Sequence, residues 1–194
     1  MPAPSPQSKV RALLEIYVRA KDLNQPDLIA ACFDKSAELT FSIDTDDIEF
    51  PRRVSGEPEI ARTLVTDFGK RFDHCRTYYV CTSPQLADGG ICEMPWLVIM
   101  RHIENRALRL GKGRYRWQIG QSSEGADRIQ RLHIHIEIMD TIPDPDAVYL
   151  DALHSRFGYP WLPPQALSYG IASLSSMRAD PNIIRQIQSI FLSG

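Results

Sequence analysis

The chain has 194 residues, 43% of them hydrophobic, with 22 basic and 24 acidic side chains giving a net charge of -2. That length supports one domain with a full core and is too short to expect two. Acids and bases are interspersed, so a nucleic-acid backbone finds no basic footprint, and no apolar run reaches membrane-spanning length.

Cys32, Cys75, Cys81 and Cys92 fall among apolar neighbours at no zinc-type spacing, which predicts free thiols in a reducing compartment. The N-terminal MPAPSPQSKV is loose and polar and lacks the apolar core of a signal peptide, so a cytoplasmic protein is expected.

In chain order, Ser5 or Ser8 can cap a first helix with Pro6 in its opening turn. Val10, Leu13, Leu14, Tyr17 and Val18 recur at helical spacing and form its buried stripe. Asn24 and Gln25 break it, and Pro26 starts a second, short helix carrying Leu28, Ile29, Cys32 and Phe33. Residues 38–43 read as a strand with Leu39, Phe41 and Ile43 on one side, followed by an acidic turn over 44–47. Residues 48–54 predict a returning strand that Pro51 confines to an edge. Ser55 and Gly56 precede a third helix over 58–72, and 77–82 is strand-like again.

Three long strands then fold back and forth. Residues 91–103 (ICEMPWLVIMRHI) are almost continuously apolar, with Pro95 marking an edge or bulge. Residues 108–121 alternate basic and apolar side chains, with Gly111 and Gly113 placed to bend the sheet. Residues 128–142 give the clearest alternation: Leu132, Ile134, Ile136 and Ile138 on one face, His133, His135 and Glu137 on the other. Three further helices are predicted over 147–157, 165–177 and 182–192, separated by a rigid GYPWLPP segment.

Helices on one face of a curved, mostly antiparallel sheet make an α+β architecture. Its boundaries are expected at 1–145 for the main domain and 146–194 for a helical extension packed on it or on a partner subunit.

This order resembles the cone-shaped fold of the nuclear transport factor 2 superfamily, which includes ketosteroid isomerase, polyketide cyclases of the SnoaL type, scytalone dehydratase and dioxygenase small subunits. The resemblance covers roughly residues 8–142. It rests on YVRAKDLNQPDLIAACFDKSAELTF (17–41), on the Ser55-Gly56 helix entry with Ile60 four residues later, and on the closing meander. It implies an apolar cavity between sheet and helices, lined by Phe33, Phe41, Trp96, Tyr115 and Trp117, with Tyr17 at the place of the isomerase oxyanion-hole tyrosine. Phe41 stands at the position of the isomerase base, and a phenyl ring cannot shuttle protons, so steroid isomerisation does not carry over. Asp44 or His74 is the candidate to replace the missing acid/base group.

The expected ligand is a small hydrophobic or aromatic molecule, bound by a homodimer without metal or other cofactor. Any chemistry is of the isomerase, dehydratase or cyclase type; the alternative is a non-catalytic assembly module like the dioxygenase small subunits. Histidines at 133 and 135 share a strand face at a spacing that metals use. Their apolar alternates, however, claim the buried side, which predicts a solvated or subunit-facing stripe.

Overall fold

A computed structural model describes residues 5–192, so part of the expected loose leader lies outside the described residues. Helix α1 (Pro6–Asp22) is capped by Ser5, whose hydroxyl accepts from the Ser8 amide at 3.2 Å. Its predicted stripe is buried, and Lys21 continues that stripe by one turn. Helix α2 (Ile29–Cys32) is a single turn, because Phe33 already opens strand β1 (Phe33–Ile43). The returning strand β2 shrinks to Arg53–Ser55; Pro51, with no amide to donate, stays outside it.

Helix α3 (Glu57–Ala61) passes through a π-helical turn (Arg62–Thr66) into α4 (Asp67–Gly69). Phe72, expected to end that helix, instead begins β3 (Phe72–Tyr79). The short β4 (Leu86–Ala87) leads into β5 (Ile91–His102), β6 (Leu108–Gln121) and β7 (Asp127–Ile142). Helices α5 (Val148–Arg156), α6 (Pro164–Ser173) and α7 (Pro181–Leu192) follow.

The strands form one curved, unclosed sheet in the order β2-β1-β7-β6-β5-β3, with β4 on β5. β1 runs parallel to β7 and every other pairing is antiparallel. On the concave face, α1 and the α3–α4 segment pack against Trp96, Val98 and Met100 of β5, Tyr115 and Trp117 of β6, and Leu132, Ile134 and Ile136 of β7. The opposite faces of the same strands, through Leu97, Ile99, Leu108, Leu110 and Ile142, are covered by α5, α6 and α7 of the same chain. β5 is therefore buried on both sides, which is why its sequence shows no alternation.

The alternation in β7 is broken by a bulge. Lys112 pairs with Ile138 and Gly113 with Ile136, so Glu137 is the extra residue. The bulge turns Ile138 to the extension and brings Met139 to the concave face, correcting the expectation for Ile138. Gly113 is required there: a Cβ on it would stand 1.9 Å from the His135 carbonyl oxygen.

Candidate functional site: a small aromatic hollow

The concave face and the helices leave a cavity of about 40 Å³ for the centres of water-sized spheres, room for two or three waters. Tyr17 and Lys21 enter it from α1, Leu64 from the π-helical turn, and Phe41, Trp96 and Tyr115 from the sheet. A π turn widens the helix by one residue per hydrogen bond, and here it supplies the wall residue Leu64. Met100 and Met139 add flexible apolar wall able to reshape around a guest. A shallower outer hollow of about 230 Å³ shares Phe50 and Phe68 with the cavity, and Phe50 stacks on Phe41 at 4.5 Å. The loop between β1 and β2 thus forms the outer wall.

Tyr17 is fully buried, with its ring edge-on to Trp117 at 5.0 Å and near Tyr115 at 6.1 Å. Its hydroxyl makes no well-formed hydrogen bond. Burial, then the neighbouring Tyr115 hydroxyl, pushes its pKa well above the phenol value, so it is a donor and never a base at neutral pH. The Trp96 indole N–H in the same wall also lacks an acceptor. An apolar hollow with unspent donors matches a guest that brings an acceptor.

Lys21 is the charged residue in that wall. Its Nζ donates to Asp22 Oδ1 at 3.0 Å and to Cys75 Sγ at 3.3 Å, and lies 4.5 Å from the Phe68 ring centre. Burial opposes its charge, but Asp22 and Cys75 outweigh that and its pKa is raised. Asp22 sits behind it with its side chain 1% exposed. It accepts from the Thr77 amide at 2.6 Å, the Thr77 hydroxyl at 2.9 Å, Cys75 at 3.2 Å and Tyr159 at 2.9 Å. Burial, then Asp22, pushes the Cys75 thiol up to about 12. The carboxylate is saturated from behind, and Lys21, which lines the hollow, holds its ammonium against Asp22, Cys75 and the Phe68 ring.

Not every expected residue lines the cavity. Phe33 and Trp117 are buried against Tyr17 rather than in the cavity wall. Asp44 continues β1 on the convex side, 63% exposed, with Oδ2 3.3 Å from His135 Nε2. His74 sits at the β3 bulge with φ of 49°, its half-exposed ring 3.1 Å from Asp73. Strand parity carries Asp44 and the bulge carries His74 away from the hollow, so neither replaces the missing base there. Lys21 escaped the sequence reading because a lysine near a helix end reads as solvated; its signal is the four-residue spacing from Tyr17. Tyr159 and Trp161 do not plug the hollow: Trp161 packs on Tyr79 at 4.8 Å and donates to Glu15 at 2.6 Å.

A half-open cone of this kind, with helices over an apolar hollow, is the nuclear transport factor 2-like fold, and the chain has that fold. Among solved structures it is similar to an NTF2-like superfamily protein from Salmonella enterica serovar Typhimurium LT2, at 18% identity over 73% of this chain and 94% of that one, with a TM-score of 0.56. It is also similar to a hexachlorocyclohexane dehydrochlorinase, LinA type 2 (13% identity, 70% and 87% covered, TM-score 0.55). A third is a ketosteroid isomerase-like protein from Erwinia carotovora atroseptica SCRI1043 (9% identity, 69% and 98% covered, TM-score 0.52). No family model matches the sequence. No curated protein matches it either. Among the described residues no helix is long and apolar enough to cross a membrane, and no three His, Cys, Asp or Glu stand together as a metal site.

Proposed function

We propose that the hollow, widened by movement of the Met100 and Met139 side chains and of the Phe50 and Phe68 wall it shares with the outer hollow, binds a small, single-ring apolar molecule bearing one hydrogen-bond acceptor, a carbonyl or an equivalent oxygen, which takes the Tyr17 hydroxyl. The observation that carries this reading is the Tyr17 hydroxyl, fully buried with the Tyr115 hydroxyl beside it and no well-formed hydrogen bond, on a residue that lines an apolar cavity. The Lys21 ammonium one turn along α1 adds a positive charge to the same wall, which favours charge building on the acceptor. Solved relatives by fold carry the names of an isomerase-like protein and a dehydrochlorinase, which supports small-molecule chemistry in such a hollow.

Acid/base chemistry of the isomerase, dehydratase or cyclase type draws on polarisation by Tyr17 and Lys21. No carboxylate or imidazole lines the cavity among the described residues, so a proton abstracted from the guest goes to water or to the guest itself. Calorimetric titration with acetophenone and with ethylbenzene, the same shape without the oxygen, tests the reading. Acetophenone is expected to bind about tenfold more tightly, as one hydrogen bond of about 1.4 kcal/mol predicts. Equal affinity, or no binding of either, would overturn it.

A further inference from the structure

The extension covers part of the convex face and leaves a polar relay beside it on β1 and β7. The parallel register places Thr40 beside His133 and Ser42 beside His135. Thr40 Oγ1 is 2.8 Å from His133 Nδ1, and Ser42 Oγ is 2.9 Å from His133 Nε2 and 2.7 Å from His135 Nδ1. Asp44 Oδ2 lies 3.3 Å from His135 Nε2, held there by the Asp44 amide donating to the Ile136 carbonyl at 2.9 Å.

With neutral rings, one proton arrangement satisfies every contact. The Asp44 carboxylate makes His135 Nε2 the protonated nitrogen, so Nδ1 accepts the Ser42 hydroxyl. Ser42 Oγ then accepts from His133 Nε2–H, and His133 Nδ1 accepts from Thr40. Burial, then His135 and Arg116, lowers the His133 pKa and supports its neutral form. This is a hydroxyl bonded to an imidazole whose far nitrogen faces a carboxylate, the arrangement that activates a serine on unrelated folds.

We infer that Ser42, His135 and Asp44 form a second, solvent-facing site that cleaves small esters, Ser42 being the nucleophile, His135 its base and Asp44 the group that orients the ring. Ser42 Oγ bonds to the ester carbonyl carbon while its proton passes to His135 Nδ1. The carbonyl carbon–oxygen bond to the alcohol breaks, and the alcohol leaves with that proton. Water, deprotonated by the same nitrogen, then releases the acid and restores the hydroxyl. Arg114, opposite His135 in the β6–β7 register and exposed, offers a guanidinium on this face for the developing oxyanion. A groove of about 190 Å³ bounded by Thr40, His133, Arg116 and Gln118 lies alongside for the acyl or alcohol portion.

The whole chain is treated with a fluorophosphonate probe, the modified peptide is mapped by mass spectrometry, and p-nitrophenyl acetate hydrolysis is followed. The expected result is one phosphonate per chain, on Ser42. Ser42→Ala removes it and lowers ester turnover about 100-fold, and His135→Gln slows labelling about as much. Asp44→Asn slows labelling about tenfold with circular dichroism unchanged. Labelling elsewhere, no labelling, or turnover unchanged in Ser42→Ala would overturn the assignment, and would leave the concave-cavity reading untouched.

Discussion

The Tyr159 hydroxyl donates to Asp22 Oδ2 at 2.9 Å, so the segment between α5 and α6 reaches the carboxylate that backs the concave hollow. The backbone of this segment is pinned as well, through Tyr79 N to Pro160 O at 2.8 Å and Leu162 N to Tyr79 O at 2.9 Å. Asp22→Asn leaves the buried Lys21 ammonium without its counter-charge and is expected to cost about 3–5 kcal/mol. Tyr159→Phe removes one donor and is expected to cost about 1 kcal/mol. Urea denaturation of the two variants checks the order; equal costs would contradict the carboxylate's central place.

Tyr17→Phe is expected to separate stability from binding. Deleting a buried hydroxyl that makes no well-formed hydrogen bond is expected to leave stability unchanged or slightly raised, while acetophenone affinity falls about tenfold. Thermal melts of free protein and calorimetry with the ketone read the two effects. A variant both less stable and equally avid would mean the hydroxyl serves the fold alone.

Gly113→Ala sets a methyl against the His135 carbonyl and 2.9 Å from the Trp96 ring. Both neighbours are fixed, one by the ladder and one by the core, so a loss of about 2 kcal/mol or more is expected in urea denaturation. Gly125→Ala provides no matched control, because Gly125 has a positive φ. Gly158, whose nearest neighbour to a new methyl is 3.7 Å away, does.

His154 gives the pH dependence. Burial, then Arg76, lowers its pKa from 6.5 to about 4, and its Nε2 is buried without a partner. The unfolded chain therefore binds a proton that the folded chain refuses between those values, and stability falls as pH drops from about 6.5 to about 4. The ring is partly exposed, so the loss is screened to about 1–2 kcal/mol. His154→Gln should flatten the stability profile over that interval; an unchanged slope would contradict the assignment.

Much of this architecture was legible in the chain. The stripe from Val10 to Val18 follows from side chains three and four apart sharing a helix face, and the β6 and β7 spans follow from alternation. What escaped depends on distant partners. Asp22 looks like a helix-end acid until Thr77 and Tyr159 arrive from 55 and 137 residues away. The exchange of Ile138 for Met139 needs the bulge, and a bulge depends on the register of two strands rather than on either alone. The π turn at Arg62–Thr66 leaves no local mark, since its residues fit an α-helix equally well. The chemistry of Asp44 is legible in the sequence but its face is not: strand parity sets it beside His135 and away from the hollow.

The most direct measurement is the infrared spectrum of carbonyl-labelled acetophenone bound to the protein, compared with the ketone in a hydrocarbon solvent. A carbonyl accepting from the buried Tyr17 phenol absorbs at lower frequency, and in Tyr17→Phe the band returns toward its hydrocarbon position. A bound carbonyl whose frequency is the same in both proteins would contradict the account at its centre.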